Sequence, residues 1–399
     1  MSTRPHRRVS FEFDCIDADY VDASGPQLLS GFRAGKSKPF ALLRVVTTPG
    51  RFDGFAGATP EPGDWFHLEI KPNGSGLPAW HAQLEGNGYS THARGVLTFA
   101  RLLNTPDETP SHPLRPQALG AAVVPQRVLP SPLATACAAL PPPATPAEVS
   151  TILKTLPQAT SILVRDVGQA NFVSLCDDAG SAILHFDVGF PISFNRHTFP
   201  SRFVVDRAEK LPIVLSHWDW DHIHGALLLP HLLDCPWIVP DQRLGPGAAR
   251  LAHMLVQKGN LVVRPANARI RFPFGELVRS GGRPSDLNDS GLTILATLTS
   301  GRSALLTGDA DYEHLMHANA TQVDHLVATH HGARFNAGVQ SVPKPNSGYG
   351  QLVISYGYRN VYGHPHPDGL SKHAMSGWTT YVTTAGRRGI ASRGDRIVN

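Results

Sequence analysis

Between Ser216 and His222 the chain sets two imidazoles and two carboxylates, His217, Asp219, Asp221 and His222, directly after the apolar run Leu211-Pro212-Ile213-Val214-Leu215. A buried strand cannot house four such groups, because a polar or charged side chain out of water needs a partner. The loop at the strand's C-terminal end can turn all four toward one point in space. Imidazole and carboxylate together form the donor set of divalent cations such as zinc, manganese and magnesium, so these four residues are candidate metal ligands.

Four further clusters follow apolar stretches in the same way: Asp187-Val188-Gly189, Gly308-Asp309, Thr329-His330-His331-Gly332 and Tyr362-Gly363-His364-Pro365-His366-Pro367. Asp309 and His330 join the candidate ligands. Asp221, His331, His364 and His366 are candidates for catalytic work, the three histidines as supports behind the ligands, phosphate binders or the proton donor to a leaving oxygen. Each proline of the last cluster fixes its own φ and restricts the histidine before it, so that segment is stiff. Asp166 and Asp187 read as architectural, since short aspartates satisfy backbone donors in loops.

The elements that must position these groups are legible as apolar runs. Ile213 to Leu215, Leu292 to Ala296, Ala304 to Leu306, His325 to Ala328 and Leu352 to Ser355 each end in a polar loop, which implies a layered fold with loops gathered at one sheet edge. Ser161 to Arg165, Phe172 to Cys176 and Ala182 to Phe186 read as strands, the last two joined by the turn Asp177-Asp178-Ala179-Gly180. Thr145-Pro146-Ala147-Glu148 supplies an N-cap, a proline at the first helical position and a capping glutamate, predicting a short helix toward Leu156. Residues 1–104 hold β-like pieces such as Phe11-Glu12-Phe13 and Phe40 to Val46 between Gly and Pro turns, a β-rich module without evident chemistry. Residues 105–144 are proline-dense and read as a linker or strap, leaving 145–399 as the chemical domain.

At 399 residues the chain exceeds the usual size of one core. Its 36 basic and 32 acidic side chains leave a formal charge of +4, too small to argue for nucleic acid alone. The four cysteines, Cys15, Cys137, Cys176 and Cys235, form no C-x-x-C pair, which fits a reducing cytoplasm better than a disulfide framework. The basic start Met1 to Arg8 runs into Glu12, Asp14, Asp17 and Asp19 rather than an apolar core, so no signal peptide is expected. Ala118 to Leu140, interrupted by Arg127 and three prolines, is not expected to span a membrane.

Taken in order, the motifs resemble the metallo-β-lactamase superfamily, and within it the soluble nuclease-like domain of the DNA-uptake protein ComEC. Asp166-Val167-Gly168-Gln169 resembles that domain's D-V-G-Q, and Asp187-Val188-Gly189 its D-T-G turn, whose glycine lets backbone approach the metal loop. His217-x-Asp219-x-Asp221-His222 resembles H-x-D-x-D-H, Asn288 to Leu292 resembles N-N-x-S-L, and Leu305 to Ala310 resembles L-L-T-G-D-A. His330 to Gly332 and Asn360 to Pro367 resemble the closing H-H-G and N-x-Y-G-H-P-H-P, so the likeness covers roughly residues 160–395. The chain departs from it at Ala170-Asn171, where Gly-Asp is usual, and it has no counterpart of the membrane channel. The resemblance therefore implies an αββα sandwich with a nuclease-like site, and says nothing for DNA transport.

It also implies a partition of ligands: His217, Asp219 and a bridging Asp309 on one metal, and Asp221, His222, Asp309 and His330 on the other. Asp219 stands where the wider superfamily has histidine, which favours manganese or magnesium beside zinc. Two cations about 4 Å apart lower the pKa of a bridging water toward ~7 and neutralise a phosphodiester in displacement. The expected activity is a metal-dependent phosphodiesterase, a DNase first. Rival expectations are a small-molecule hydrolase such as a cyclic-nucleotide phosphodiesterase, and a partner-gated subunit of a bacterial defence or DNA-processing complex docked through residues 1–104. Arg334, Arg359, Arg387 and Arg388 are candidates for a phosphate groove, and Tyr356, Tyr358 and Trp378 for base stacking.

Overall fold

A computed structural model of the chain describes residues 11–17, 41–47, 65–71, 73–85, 88–89, 93–103 and 140–399, apart from 192, 202, 204, 206–210, 245, 347–349 and 387–391. The chain divides into two compact units, Met1–Ala139 with Arg243–Met254, and Leu140–Gln242 with Leu255–Asn399. In the first unit, β1 (Phe11–Asp17), β2 (Ala41–Thr47), β3 (Trp65–Lys71), β4 (Leu77–Glu85), β5 (Gly88–Tyr89) and β6 (Ala93–Leu103) form one sheet of order β1-β2-β4-β6-β3, with β5 paired to β4. Every pairing is antiparallel. Residues 105–139 of the expected proline-rich linker lie outside the described residues.

Two seven-stranded sheets make the second unit. The first contains β7 (Ser161–Val164), β8 (Phe172–Cys176), β9 (Ala182–Val188), β10 (Ile213–Val214), β11 (Trp237–Val239), β12 (Leu261–Val263) and β22 (Arg396–Val398), in the order β12-β11-β10-β9-β8-β7-β22. The second contains β13 (Ile270–Phe272), β14 (Gly275–Arg279), β15 (Leu292–Thr297), β16 (Ser303–Leu306), β18 (His325–Val327), β20 (Gln351–Ile354) and β21 (Tyr381–Thr383), in sequence order. A small parallel pair, β17 (Gln322–Val323) with β19 (Lys344–Pro345), stands apart. The expected hairpin is present as antiparallel β8 and β9, and the Asp177 carboxylate accepts the N–H groups of Ala179 and Ser181 in its turn.

Successive side chains of a strand point to opposite faces, so alternate apolar residues meet the facing sheet. Val173, Leu175, Leu184 and Phe186 of the first sheet share one buried cluster with Leu292, Ile294, Ala304 and Leu306 of the second. The helix Pro146–Lys154 adds Val149 and Leu153, and it begins with the expected capping box: the Thr145 hydroxyl accepts from Glu148 N, and Glu148 accepts from Thr145 N. On the outer face of the second sheet, Leu305, Leu326, Leu352 and Ile354 pack with Tyr312, Phe335 and Trp378, and Leu370 of the helix Pro367–Met375 lies against them. On the first sheet, the Trp237 indole donates to Leu232 O of the 3-10 segment Pro230–Asp234. Helical layers thus cover both sheets, giving an αββα sandwich.

Strand direction decides where chemistry gathers. Strands β9, β10, β11 and β12 run parallel, as do β16, β18, β20 and β21. Parallel strands end together, so the loops after β9, β10, β16, β18 and β20 collect at one edge, where open α/β sheets bind their ligands. Leu292 N donates to Ser216 O across the two sheets, joining both sets of loops there. Among the described residues no helix is long and apolar enough to cross a membrane. Phe186 lies in the core between the sheets at 1% exposure. Phe186→Ala is expected to lower the unfolding free energy by roughly 3–5 kcal/mol in a urea titration.

Candidate metal centre

The centre is built on the Asp187 carboxylate, fully buried at the end of β9. It accepts from Asn171 Nδ2 (2.7 Å), Ser216 N (2.6 Å), Ser216 Oγ (2.8 Å) and His222 Nδ1 (2.7 Å). Because the Ser216 hydroxyl gives its one proton to Asp187, it meets His217 Nδ1 (2.9 Å) as an acceptor. His331 Nδ1 donates to Ser355 O at 2.9 Å. In all three imidazoles Nδ1 is spent on an acceptor, so in the neutral ring Nε2 presents a lone pair. This is the arrangement by which supporting groups orient metal-ligating histidines.

Those Nε2 atoms converge. His217 Nε2 lies 3.5 Å from Asp219 Oδ2 and 4.0 Å from Asp309 Oδ2; His222 Nε2 lies 3.2 Å from Asp309 Oδ1 and 4.0 Å from Asp221 Oδ1. His331 Nε2 lies 3.3 Å from Asp221 Oδ2 and 4.0 Å from Asp309 Oδ1. All three Nε2 atoms are buried without a hydrogen-bond partner. An unsatisfied buried polar atom costs about 1–3 kcal/mol, so three facing the same carboxylates call for a common partner. Two groups have ligand atoms within 4.8 Å of one another, His217 with His222 and Asp309, and Asp221 with His222 and His331. These residues fit divalent cations.

Electrostatics agree. Burial alone would raise the Asp309 carboxyl, yet His330, His222 and His331 around it hold it well below the usual carboxylate range. At Asp221 burial is likewise outweighed, by His331 and His222 close to it. Burial works against a charge on His222 and His331, but Asp309 with Asp187 raises the first well above the ordinary imidazole value, and Asp309 with Asp221 raises the second. The carboxylates thus favour positive charge at the positions that cations would take.

The remaining expected residues are placed as follows. His330, 39% exposed at its side chain, puts Nε2 3.5 Å from Asp309 Oδ2 at the mouth, whereas the neighbouring His331 is 1% exposed. Asp219 is about half exposed and belongs to neither three-residue group. His364 stacks on His331 at 6.3 Å between ring centres and meets His330 edge-on at 5.4 Å. Burial, with His330 and His331 alongside, pushes its imidazole down to about 3, away from the near-neutral range of a proton donor. His366 spends Nδ1 on Asp368 N, capping the helix Pro367–Met375. Asp166 is gripped by Arg393 at 2.5 and 2.9 Å.

Two stacking expectations are corrected. Tyr356, in the loop after β20, and Trp378, after the helix Pro367–Met375, are buried in the apolar cluster outside the second sheet, with the Trp378 indole donating to Pro343 O. Tyr358 is exposed, with the Arg359 guanidinium over its ring at 5.4 Å. Arg334 is exposed and pairs with Asp368 at 3.5 Å, while Arg387 and Arg388 lie outside the described residues. Residue type alone did not single out Ser216, Gln169 and Asn171 as supports; their pattern, a polar residue flanking each candidate ligand loop, was the available signal. Asn171 holds the place where the resemblance expects aspartate, and its amide supplies a donor to Asp187. Gly189 is required as anticipated, since a Cβ there would lie 1.5 Å from Asp221 O.

No protein-family model and no curated protein sequence matches the chain. Among solved structures it is similar to the metallo-β-lactamase fold protein YhfI from Bacillus subtilis, at 12% identity and TM-score 0.33 over 60% of this chain and 99% of that one. It is similar over the same shares to a possible metal-dependent hydrolase from Veillonella parvula, at 12% identity and TM-score 0.35, and to zinc-bound PqqB from Methylobacterium extorquens, at 10% and 0.33. The sheet order, the shared core and the strand-end cluster describe an αββα sandwich with potential metal ligands gathered at one edge.

Asp187→Ala removes the acceptor of Ser216 N and the nearer acceptor of His222 Nδ1, leaving that ring only Ser216 Oγ at 3.2 Å. Zinc affinity is expected to fall about 10–100-fold by competition with a chromogenic chelator. Zinc competes with protons for His222 and His331, whose imidazoles are raised above their ordinary value, so affinity should climb as pH rises through and beyond the ordinary imidazole range. Calorimetry in buffers of different ionisation enthalpy should register proton release; uptake would contradict the assignment.

Proposed function

We propose that the chain is a metal-dependent phosphodiesterase, and specifically a nuclease acting on DNA. The observation that carries this reading is the gathering of Asp219, Asp221 and Asp309 around three buried imidazole nitrogens that lack partners. Three carboxylates alone would repel a phosphodiester, so the centre suits that substrate only with cations in place. The ordered motifs that resemble the ComEC nuclease-like domain support the same substrate class.

His217, Asp309, Asp221, His222 and His331 would hold the cations, the single free Nε2 of His222 serving one of them, with Asp219 and His330 beside them at the open side. Bound there, divalent cations polarise phosphoryl oxygens and make water a competent nucleophile near neutral pH. The oxygen-rich donor set admits manganese or magnesium as well as zinc. The chain's own groups do the positioning. Asp187 and Ser216 orient His222 and His217, Ser355 O orients His331, and His330 stands at the mouth where a phosphate would enter. Tyr358 with Arg359 offers an exposed surface for a base and its phosphate. This reading carries with it a cytoplasmic, bacterial setting and leaves residues 1–104 for a protein partner.

The test is metal-stripped protein incubated with labelled single- and double-stranded DNA, RNA and a generic phosphodiester, with manganese, magnesium or zinc restored. Metal-dependent DNA cleavage is expected, and Asp309→Ala or the pair Asp219→Ala/Asp221→Ala should abolish it while circular dichroism stays native. Full activity in either variant would overturn the assignment. Cleavage of the generic ester alone would replace DNA by a small phosphodiester.

A further inference from the structure

His364 differs from the other buried histidines of the centre in what holds its Nδ1. His217, His222 and His331 each place Nδ1 against an acceptor: the Ser216 hydroxyl, the Asp187 carboxylate and the Ser355 carbonyl. His364 Nδ1 instead faces the Gln169 amide nitrogen at 3.2 Å. The Gln169 amide is not free to turn over, because its oxygen accepts from Gly357 N at 3.2 Å. Its nitrogen therefore donates, and Nδ1 of His364 must accept. A neutral imidazole that accepts at Nδ1 carries its proton on Nε2.

The surroundings hold this pair in register. Gln169 N donates to Thr198 Oγ1 at 2.9 Å. Gly357 lets the strand-end loop approach, since a Cβ there would lie 2.4 Å from Thr198 Cβ and 2.6 Å from Gln169 N. Asn360 clamps the His364 backbone from both sides, its Oδ1 accepting from His364 N at 3.0 Å and its Nδ2 donating to His364 O at 2.7 Å. Among the described residues His364 Nε2 has no hydrogen-bond partner, and the ring lies beside His330 and His331 at the mouth of the centre.

We propose that His364 is a fixed hydrogen-bond donor, presenting Nε2–H to a substrate oxygen at the metal centre, and that Gln169 is the positioning residue that selects this tautomer. The proposal rests on the hydrolytic reading of the site for its substrate, and on hydrogen-bond geometry for the tautomer. The centre thus divides four of its imidazoles by proton position: His217, His222 and His331, with Nδ1–H, face cations with a lone pair, and His364, with Nε2–H, faces the substrate. The donor stabilises charge gathering on a phosphoryl or leaving oxygen without itself giving up a proton.

The tautomer is read from long-range nitrogen–proton correlation spectra of the zinc-loaded full chain, labelled with 15N-histidine and assigned by the signal missing in His364→Gln. The proton is expected on Nε2, with Nδ1 bare. Gln169→Glu sets a carboxylate oxygen against Nδ1 and should bring a proton to that nitrogen while zinc content and circular dichroism are kept. A wild-type ring protonated on Nδ1, a bare Nε2 ligating zinc, or a Gln169→Glu ring unchanged from wild type overturns the proposal. With bis(p-nitrophenyl) phosphate, His364→Phe should lose about 100-fold in kcat and His364→Gln, which keeps an amide N–H, should regain about tenfold of it. Equal loss in both variants overturns the donor role. If the wild-type protein hydrolyses no phosphodiester, the functional reading fails, while the spectra still decide the tautomer.

Discussion

A single buried carboxylate, Asp187, sets the constraint on which the centre depends. A carboxylate out of water is tolerated only when its oxygens are matched by donors, and Asp187 has four, from Asn171, Ser216 and His222. Each donor fixes something else in turn. The Ser216 backbone is held at the end of β10, the Ser216 hydroxyl is turned to receive His217, and the His222 ring is locked with Nε2 toward Asp309. Two of the three buried imidazoles of the metal groups are thus oriented by one side chain that belongs to neither group. Asn171 completes the set where an aspartate would have brought a second carboxylate against the first.

Backbone strain aims the third imidazole. His330 and His331 both adopt left-handed φ, 47° and 55°, a conformation that costs a residue with a Cβ about 1–2 kcal/mol. Two such residues in succession persist because the loop is held on both sides. The Thr329 hydroxyl donates to Ala310 O, Thr329 N donates to the Tyr312 hydroxyl, and His331 Nδ1 donates to Ser355 O. The consequence is a sharp reversal that drives His331 inward onto Asp221 and leaves His330 at the surface. Strain of this kind belongs at functional sites, where the surrounding contacts over-determine it.

The charge pattern explains why the centre is stable as well as receptive. Asp221 and Asp309 would repel one another if isolated, and burial would press both toward their neutral forms. His222 and His331 between them reverse both tendencies. The same rings that balance the carboxylates by holding protons can give those protons up to cations, so one geometry serves both states. His364, with its proton position chosen by Gln169 rather than by an acceptor, stands outside this exchange.

Much of this was legible along the chain. The H-x-D-x-D-H cluster, the aspartate after Leu305-Leu306-Thr307-Gly308 and the paired histidines after β18 announced themselves as donors at strand ends, and the hairpin and the Thr145 cap could be read from local turn and capping chemistry. The helix Pro367–Met375 went unread although Pro367 stands at its first helical position, because its N-cap is a histidine, His366, whose Nδ1 accepts from Asp368 N. The strands β13 and β14 went unread although their hairpin turn Pro273-Phe274 is followed by Gly275, because the runs on either side are short and mixed with charge. By itself the sequence determined the donor types, their order and the alternating apolar runs, because these depend on residue identity and on spacing of a few positions. Only the tertiary structure decided that His331 lies buried against Asp221, that Asp187 governs His222 from 35 residues away, and that Gln169 meets His364 from 195 residues away. Such pairings arise where two sheets bring their strand ends to one edge, and which nitrogen of an imidazole is free depends on the distant partner that takes the other.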